Sequence, residues 1–219
     1  MTTEFQGQVE YPDNFEPRCA CMLLLDTSGS MGGEPIRELN EGIRVFAEEI
    51  KKDPLTRLRL EVAVTTFGPV NPMQSFVAAD EFTAPHLSAN GGTPMGEAIN
   101  HALDEIEKRK QYYLSHNLEY YRPWVILMTD GAPTDSWNAS ANRITQLENG
   151  KNLIFFAIGV ENADMNILNQ ISVKREALKL KGLSFAEFFL WLSNSLSQVS
   201  QSIPGDSVPL ESPRGWAEV

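Results

Sequence analysis

The sequence predicts an α/β fold, a Rossmann-like, doubly wound, mostly parallel sheet of about six strands flanked by helices. Short aliphatic runs alternate along the chain with longer stretches of helical period, which is the pattern of repeated βαβ units. One of these runs, Trp124 to Met128, is apolar at almost every position, as a strand covered by helices on both faces must be. At 219 residues, 42% hydrophobic and 21% charged, the chain can bury one full core and lies outside the range of disordered sequences.

The first strand is expected at Cys21 to Leu25, ending at Asp26. A polar, glycine-rich loop over 27–34 leads to Pro35, which suits the first turn of a helix. Ile36, Leu39, Ile43, Phe46 and Ile50 then form one apolar stripe, and this helix should stop near Asp53-Pro54. A second strand is expected over Leu58 to Phe67 and a shorter third around Phe76 to Ala79. After Gly91-Gly92, a helix opening at Thr93-Pro94 places Met95, Ile99, Ala102 and Ile106 on its buried side.

Trp124 to Met128 reads as a central strand ending in Thr129-Asp130, and Leu153 to Val160 repeats the pattern. Helices are expected at Asn138 to Glu148 and Asp164 to Gln170, and a last strand at Ala177 to Leu180. Ser184 with Glu187 reads as a capping box opening a final helix through Phe188, Leu192, Leu196 and Val199. Neither an internal repeat nor an interdomain linker is visible. The organisation expected is one domain over 19–202, with an N-terminal extension over 1–18 and a loosely held Pro- and Gly-containing tail over 203–219.

Charge narrows the function. Eighteen Lys plus Arg against 29 Asp plus Glu leave a formal net charge of −11. That balance opposes nucleic-acid backbones and anionic membrane surfaces, since non-specific affinity for either rests on clustered cations. Cys19 and Cys21 would point to one face of a strand, where disulfide geometry is not met, and they read as packing residues in a reducing compartment. His86, His101 and His116 show no ligand-like spacing that would join them in a zinc site. Residues 1–18 carry neither a basic start nor an unbroken apolar stretch, so a cytoplasmic location is expected.

Three segments place oxygen-bearing side chains just after a strand or at a helix start: Asp26-Thr27-Ser28-Gly29-Ser30, Gly91-Gly92-Thr93-Pro94 and Thr129-Asp130-Gly131. In an open parallel sheet the carboxyl ends of the strands share one edge, and ligands collect where the winding direction reverses. Asp26, Ser28, Ser30, Thr93 and Asp130 therefore form a candidate metal site. Hard oxygen donors without thiolate or imidazole select Mg²⁺, Ca²⁺ or Mn²⁺ over zinc or copper. With hydroxyls as direct ligands and carboxylates acting through water, such an ion stays electrophilic enough to accept an outside carboxylate. Asp135 reads as a cap for the helix that follows it.

These five residues, in order and after the expected elements, match the Asp-x-Ser-x-Ser, Thr and Asp pattern of the metal-ion-dependent adhesion site. The chain thus resembles the von Willebrand factor A domains over roughly Cys19 to Ser202. The resemblance implies a Rossmann-like sheet with Mg²⁺ at its upper edge and a partner's Asp or Glu completing the coordination. Gly91 to Ile99, Arg122-Pro123-Trp124, Thr129 to Asp135 and Phe188 to Ser202 further resemble the compact bacterial A-domain proteins of tellurium-resistance and stress-response clusters, the TerY-like group. That likeness implies work beside a protein kinase and a phosphatase.

An enzymatic alternative is a Mg²⁺-dependent phosphohydrolase of the haloacid-dehalogenase type, in which a strand also ends in an aspartate. That motif requires a second Asp two residues on, where Ser28 stands here. Nucleophile-elbow, Walker and zinc-protease motifs are missing too, so the expectation is a non-enzymatic binding module. A structural assembly domain with a vestigial metal site is the third reading.

Overall fold

The computed structural model describes residues 14–218. Six strands form one sheet: β1 (Cys19–Asp26), β2 (Leu60–Phe67), β3 (Asn71–Ala78), β4 (Trp124–Thr129), β5 (Ile154–Gly159) and β6 (Leu178–Lys179). The helices are α1 (Glu34–Glu49), α2 (Pro54–Arg59), α3 (Met95–Ser115), α4 (Asn138–Asn149), α5 (Met165–Ile171) and α6 (Phe185–Gln201). The strand order is β3-β2-β1-β4-β5-β6, and only β3 runs antiparallel to its neighbour. This is the doubly wound α/β fold expected. Its winding reverses between β1 and β4, so the crevice that matters opens above that pair.

Alternation along β1 divides the core in two. Cys19, Cys21, Leu23 and Leu25 face the side covered by α1 and α6, whereas Ala20, Met22 and Leu24 face α3, α4 and α5. Every residue of β1 and β4 is buried, which accounts for their unbroken apolar runs. The two cysteines are free, and burial pushes the Cys19 thiol up to about 12, with the Glu61 charge adding to it. On the expected stripe of α3, Met95, Ile99, Ala102 and Ile106 are all buried.

Several local expectations are corrected. Residues 54–59, read partly as strand, form the short helix α2, because the Asp53 carboxylate accepts the Thr56 N–H at 2.7 Å and Pro54 sits in the first turn. The third strand starts five residues earlier than expected and carries Pro72, a residue that an edge strand tolerates. Ser184 precedes α6 without a side-chain cap bond, since backbone turns at Lys181–Ser184 and Leu183–Phe185 close the helix start instead.

The larger correction concerns the tail. Beyond Ser202 the chain folds back and buries Trp216 to 2% exposure against Phe188 and Trp191, with ring centroids 4.9 and 5.1 Å away. Backbone bonds from Lys181 N–H to Trp216 O (2.7 Å) and from Glu218 N–H to Lys179 O (2.9 Å) tie it beside β6. Burial of this ring and the backbone bonds beside β6 offset part of the cost of ordering the segment, a gain that no periodicity announces. Of the extension expected over 1–18, residues 1–13 lie outside the described residues. Arg18 is integral to the domain, pairing in the sheet with Tyr120 and by charge with Glu61 at 3.3 Å. No helix among the described residues is long and apolar enough to cross a membrane.

Candidate functional site

The five predicted site residues meet at the carboxyl edge of β1 and β4. Leu25 and Met128 are register partners, so the next residues, Asp26 and Thr129, end neighbouring strands and Asp130 follows directly. The loop after β1 is tight: a 3-10 turn at Gly29–Met31 brings Ser30 back toward the sheet. Asp26 lies at the floor with no exposure, Ser28 is 2% exposed, and Ser30 stands on the open rim.

Each carboxylate is held by neutral donors. Asp26 Oδ1 accepts the Ser28 N–H at 2.7 Å, and Oδ2 accepts the Thr129 hydroxyl. The Ser30 hydroxyl donates to Asp130 Oδ1 at 2.7 Å and lies 3.0 Å from the Ser28 hydroxyl. Thr93 reaches the same place at Gly131, where its hydroxyl and that of Ser30 both lie near the space a side chain would take. A β-carbon added there would sit 3.6 Å from Thr93 Oγ1 and 4.0 Å from Ser30 Oγ.

Backbone bonds lock the loops together. Gly29 N–H donates to Gly91 O at 2.9 Å, Asn90 N–H to Thr27 O at 2.7 Å, and Thr134 N–H to Thr93 O at 2.9 Å. Gly91 has φ +74°, and a β-carbon there would stand 2.4 Å from Gly68 O, so only glycine fits. Gly96, in the first turn of α3, lets the chain at Ser136 approach to within what would be 2.3 Å of a β-carbon.

Electrostatics leave the edge short of positive charge. Burial pushes the Asp26 carboxyl above the ordinary carboxylate value, hydrogen bonds from Thr129 and Ser28 pull it back, and the Asp130 charge adds to the rise. No Lys or Arg pairs with either aspartate among the described residues. Two near-buried carboxylates beside three hydroxyls fit a hard divalent cation, which Ser28, Ser30 and Thr93 would ligate while Asp26 and Asp130 balance its charge. Nowhere among the described residues do three His, Cys, Asp or Glu side chains group to hold a metal, so a cation at this edge would depend on the hydroxyls.

Some supporting residues escape a reading of motifs. Thr129 holds Asp26 through its hydroxyl and receives the Gly131 N–H at 3.2 Å. Thr134 Oγ1 accepts the Thr93 N–H at 3.2 Å. Asp135 caps α3, not the following helix: its carboxylate accepts Gly96 N–H at 2.9 Å and Glu97 N–H at 2.8 Å, from a helix lying earlier in sequence. Only the density of Thr and Asp after β4 hints at these roles.

The family profile of the von Willebrand factor type A domain matches residues 21–187, more than half of the chain. The chain belongs to the von Willebrand factor type A family. Solved structures agree on the fold of this A domain. Proximal thread matrix protein 1 from the mussel byssus aligns with a TM-score of 0.58 at 17% identity, over 84% of this chain and 49% of that one. The pilus adhesin SpaC of Lactobacillus rhamnosus GG aligns at TM-score 0.66 and 14% identity, over 85% and 31%. The manganese-loaded TRAP protein of Plasmodium vivax gives 0.51 at 18% identity, over 79% and 73%. This A domain thus spans about half the length of the mussel protein it matches. Among curated protein sequences none matches.

Proposed function

We propose that this A domain is a non-enzymatic, Mg²⁺-dependent protein-interaction module whose upper edge captures an Asp or Glu side chain of a partner protein. The observation that carries the reading is the convergence of Asp26, Ser28, Ser30, Thr93 and Asp130 on the β1–β4 crevice without a neutralising Lys or Arg among the described residues. A divalent ion bound there would supply an open coordination position for an outside carboxylate. The chain's own residues do the rest: Asp26 anchors the floor, Thr129 and the Ser28 amide hold its carboxylate in place, and Ser30 presents a hydroxyl at the exposed rim. Metal use by solved relatives supports this, one mussel structure being described with a zinc-occupied adhesion motif and the Plasmodium protein as manganese-loaded.

The setting proposed is a cytoplasmic stress-response or tellurite-resistance complex with a protein kinase and a phosphatase, on the TerY-like resemblance of the sequence motifs. Titration calorimetry with Mg²⁺ and Mn²⁺ tests the metal step: the wild type should bind and Asp26→Ala should not. Partner capture should then vanish with chelator and with Thr93→Ala while the fold survives. Capture that persists under both treatments would instead favour a structural assembly domain, and phosphate-ester turnover abolished by Asp26→Asn would favour the hydrolase.

A further inference from the structure

A cleft of about 720 Å³ opens at the opposite end of the sheet, where β4 and β5 begin. Its volume lies within the roughly 300–1,000 Å³ of small-molecule pockets. Lys110, Arg122, Lys151 and Arg175 line it, and Asp206 is the one acid among the described lining residues. Four cations gathered in one cleft run against a chain whose net charge is −11.

Ion pairing separates the four. Lys110 bonds to Glu107 at 3.1 Å, and Arg175 pairs with the buried Glu148. Arg122 and Lys151 are exposed and have no ion-pair partner among the described residues. Lys151 also adopts φ +55°, the left-handed region where Gly or Asn normally follows a helix, here just beyond α4. That conformation closes the helix: the Lys151 N–H returns to Glu148 O at 3.1 Å and the Asn152 N–H to Leu147 O at 2.8 Å, which fixes the backbone of Lys151 at the edge of the cleft. The remaining wall mixes aromatic and apolar side chains, the half-buried Tyr120 among them, with the polar Asn152, Ser202 and Ser207.

We infer that this lower cleft binds a small organic phosphate monoester, its phosphate held between Arg122 and Lys151 and its apolar or planar body resting against Tyr120. Two unpaired cations match the double charge of a phosphate monoester better than the single charge of a carboxylate, and a guanidinium can engage phosphate oxygens in bidentate fashion. The cleft far exceeds one phosphate group in size, which calls for the organic body.

AMP serves as the probe, titrated into the full chain by calorimetry in the presence of chelator, with adenosine and inorganic phosphate as comparisons. AMP is expected to bind, inorganic phosphate to bind more weakly, and adenosine not to bind. Arg122→Ala and Lys151→Gly should each weaken AMP at least tenfold. Lys151→Gly relieves the backbone conformation while removing the charge, so its melting temperature should not fall and lost binding cannot be ascribed to unfolding. Absence of AMP binding at millimolar concentration, or affinity unchanged in both variants, overturns the proposal. Binding that requires Mg²⁺ overturns it as well by moving the phosphate to the upper edge, and inorganic phosphate binding as tightly as AMP removes the organic body.

Discussion

The two ends of the sheet treat buried charge in opposite ways. Near the amino ends of β1 and β2, Glu61 is surrounded by Arg18 at 3.3 Å, Arg109 at 2.7 Å and the Tyr113 hydroxyl, so its charge is balanced from within the chain. Arg59 similarly joins Glu16 at 2.7 Å, the Tyr121 hydroxyl at 2.9 Å and the carbonyl of Ser200 at 2.7 Å, tying the end of α6 to the sheet. At the carboxyl ends, Asp26 and Asp130 meet only hydroxyls and amides among the described residues. The lower charges hold the structure together, whereas the upper ones lack counter-charge, and it is there that an outside cation has something to offset.

Removing the internal counter-charge should have the largest effect. Glu61→Gln leaves Arg18, only 7% exposed, without its partner, and the expected loss is about 3–5 kcal/mol in urea unfolding. A loss below about 1 kcal/mol would mean that the lower network is no more structural than a surface pair. At the upper edge, Mg²⁺ at a hundred times its Kd should stabilise the wild type by about 2.7 kcal/mol in the same measurement, since only the folded state assembles the site. Asp130→Ala should abolish that gain and Glu61→Gln should retain it.

Gly91→Ala should cost about 1–3 kcal/mol, because the left-handed backbone and the Gly68 carbonyl 2.4 Å from the new β-carbon both oppose it. It should weaken Mg²⁺ binding in parallel, as the loop it braces carries Thr93. The smallest response is expected from the cysteines. With its pKa pushed up to about 12 by burial, the Cys19 thiol forms almost no thiolate at pH 8, and Cys21 is raised for the same main reason. Mass spectrometry should find neither alkylated by iodoacetamide until the protein unfolds.

Periodicity made the fold legible, because a parallel sheet covered on both faces leaves continuous apolar runs that no surface element imitates. The candidate site was legible for a related reason: residues that end strands share one edge, so Asp26 and Asp130 converge despite a separation of more than one hundred positions. What stayed hidden depends on contacts formed only after folding. Asp135 looks forward to α4 in sequence but caps α3, whose first turn lies closer in space. Thr129 carries no motif that separates a strand residue from the group steadying Asp26. Trp216 follows a Pro- and Gly-containing stretch, where local pattern points to a free tail and only the Phe188–Trp191 surface reveals a place for its ring.

The strand pairing of that returning segment has a consequence for self-association. A two-residue β6 would leave unpaired backbone groups along one margin of the sheet, ready to recruit a strand from another molecule. The bridge between Leu180 and Ala217, with the bonds at Lys179 and Lys181, occupies that margin, while Pro72 blunts the opposite one. The returning segment thus covers β6, and Pro72 removes one donor from the β3 margin, so both edges are less open to edge-to-edge pairing than bare strands would be.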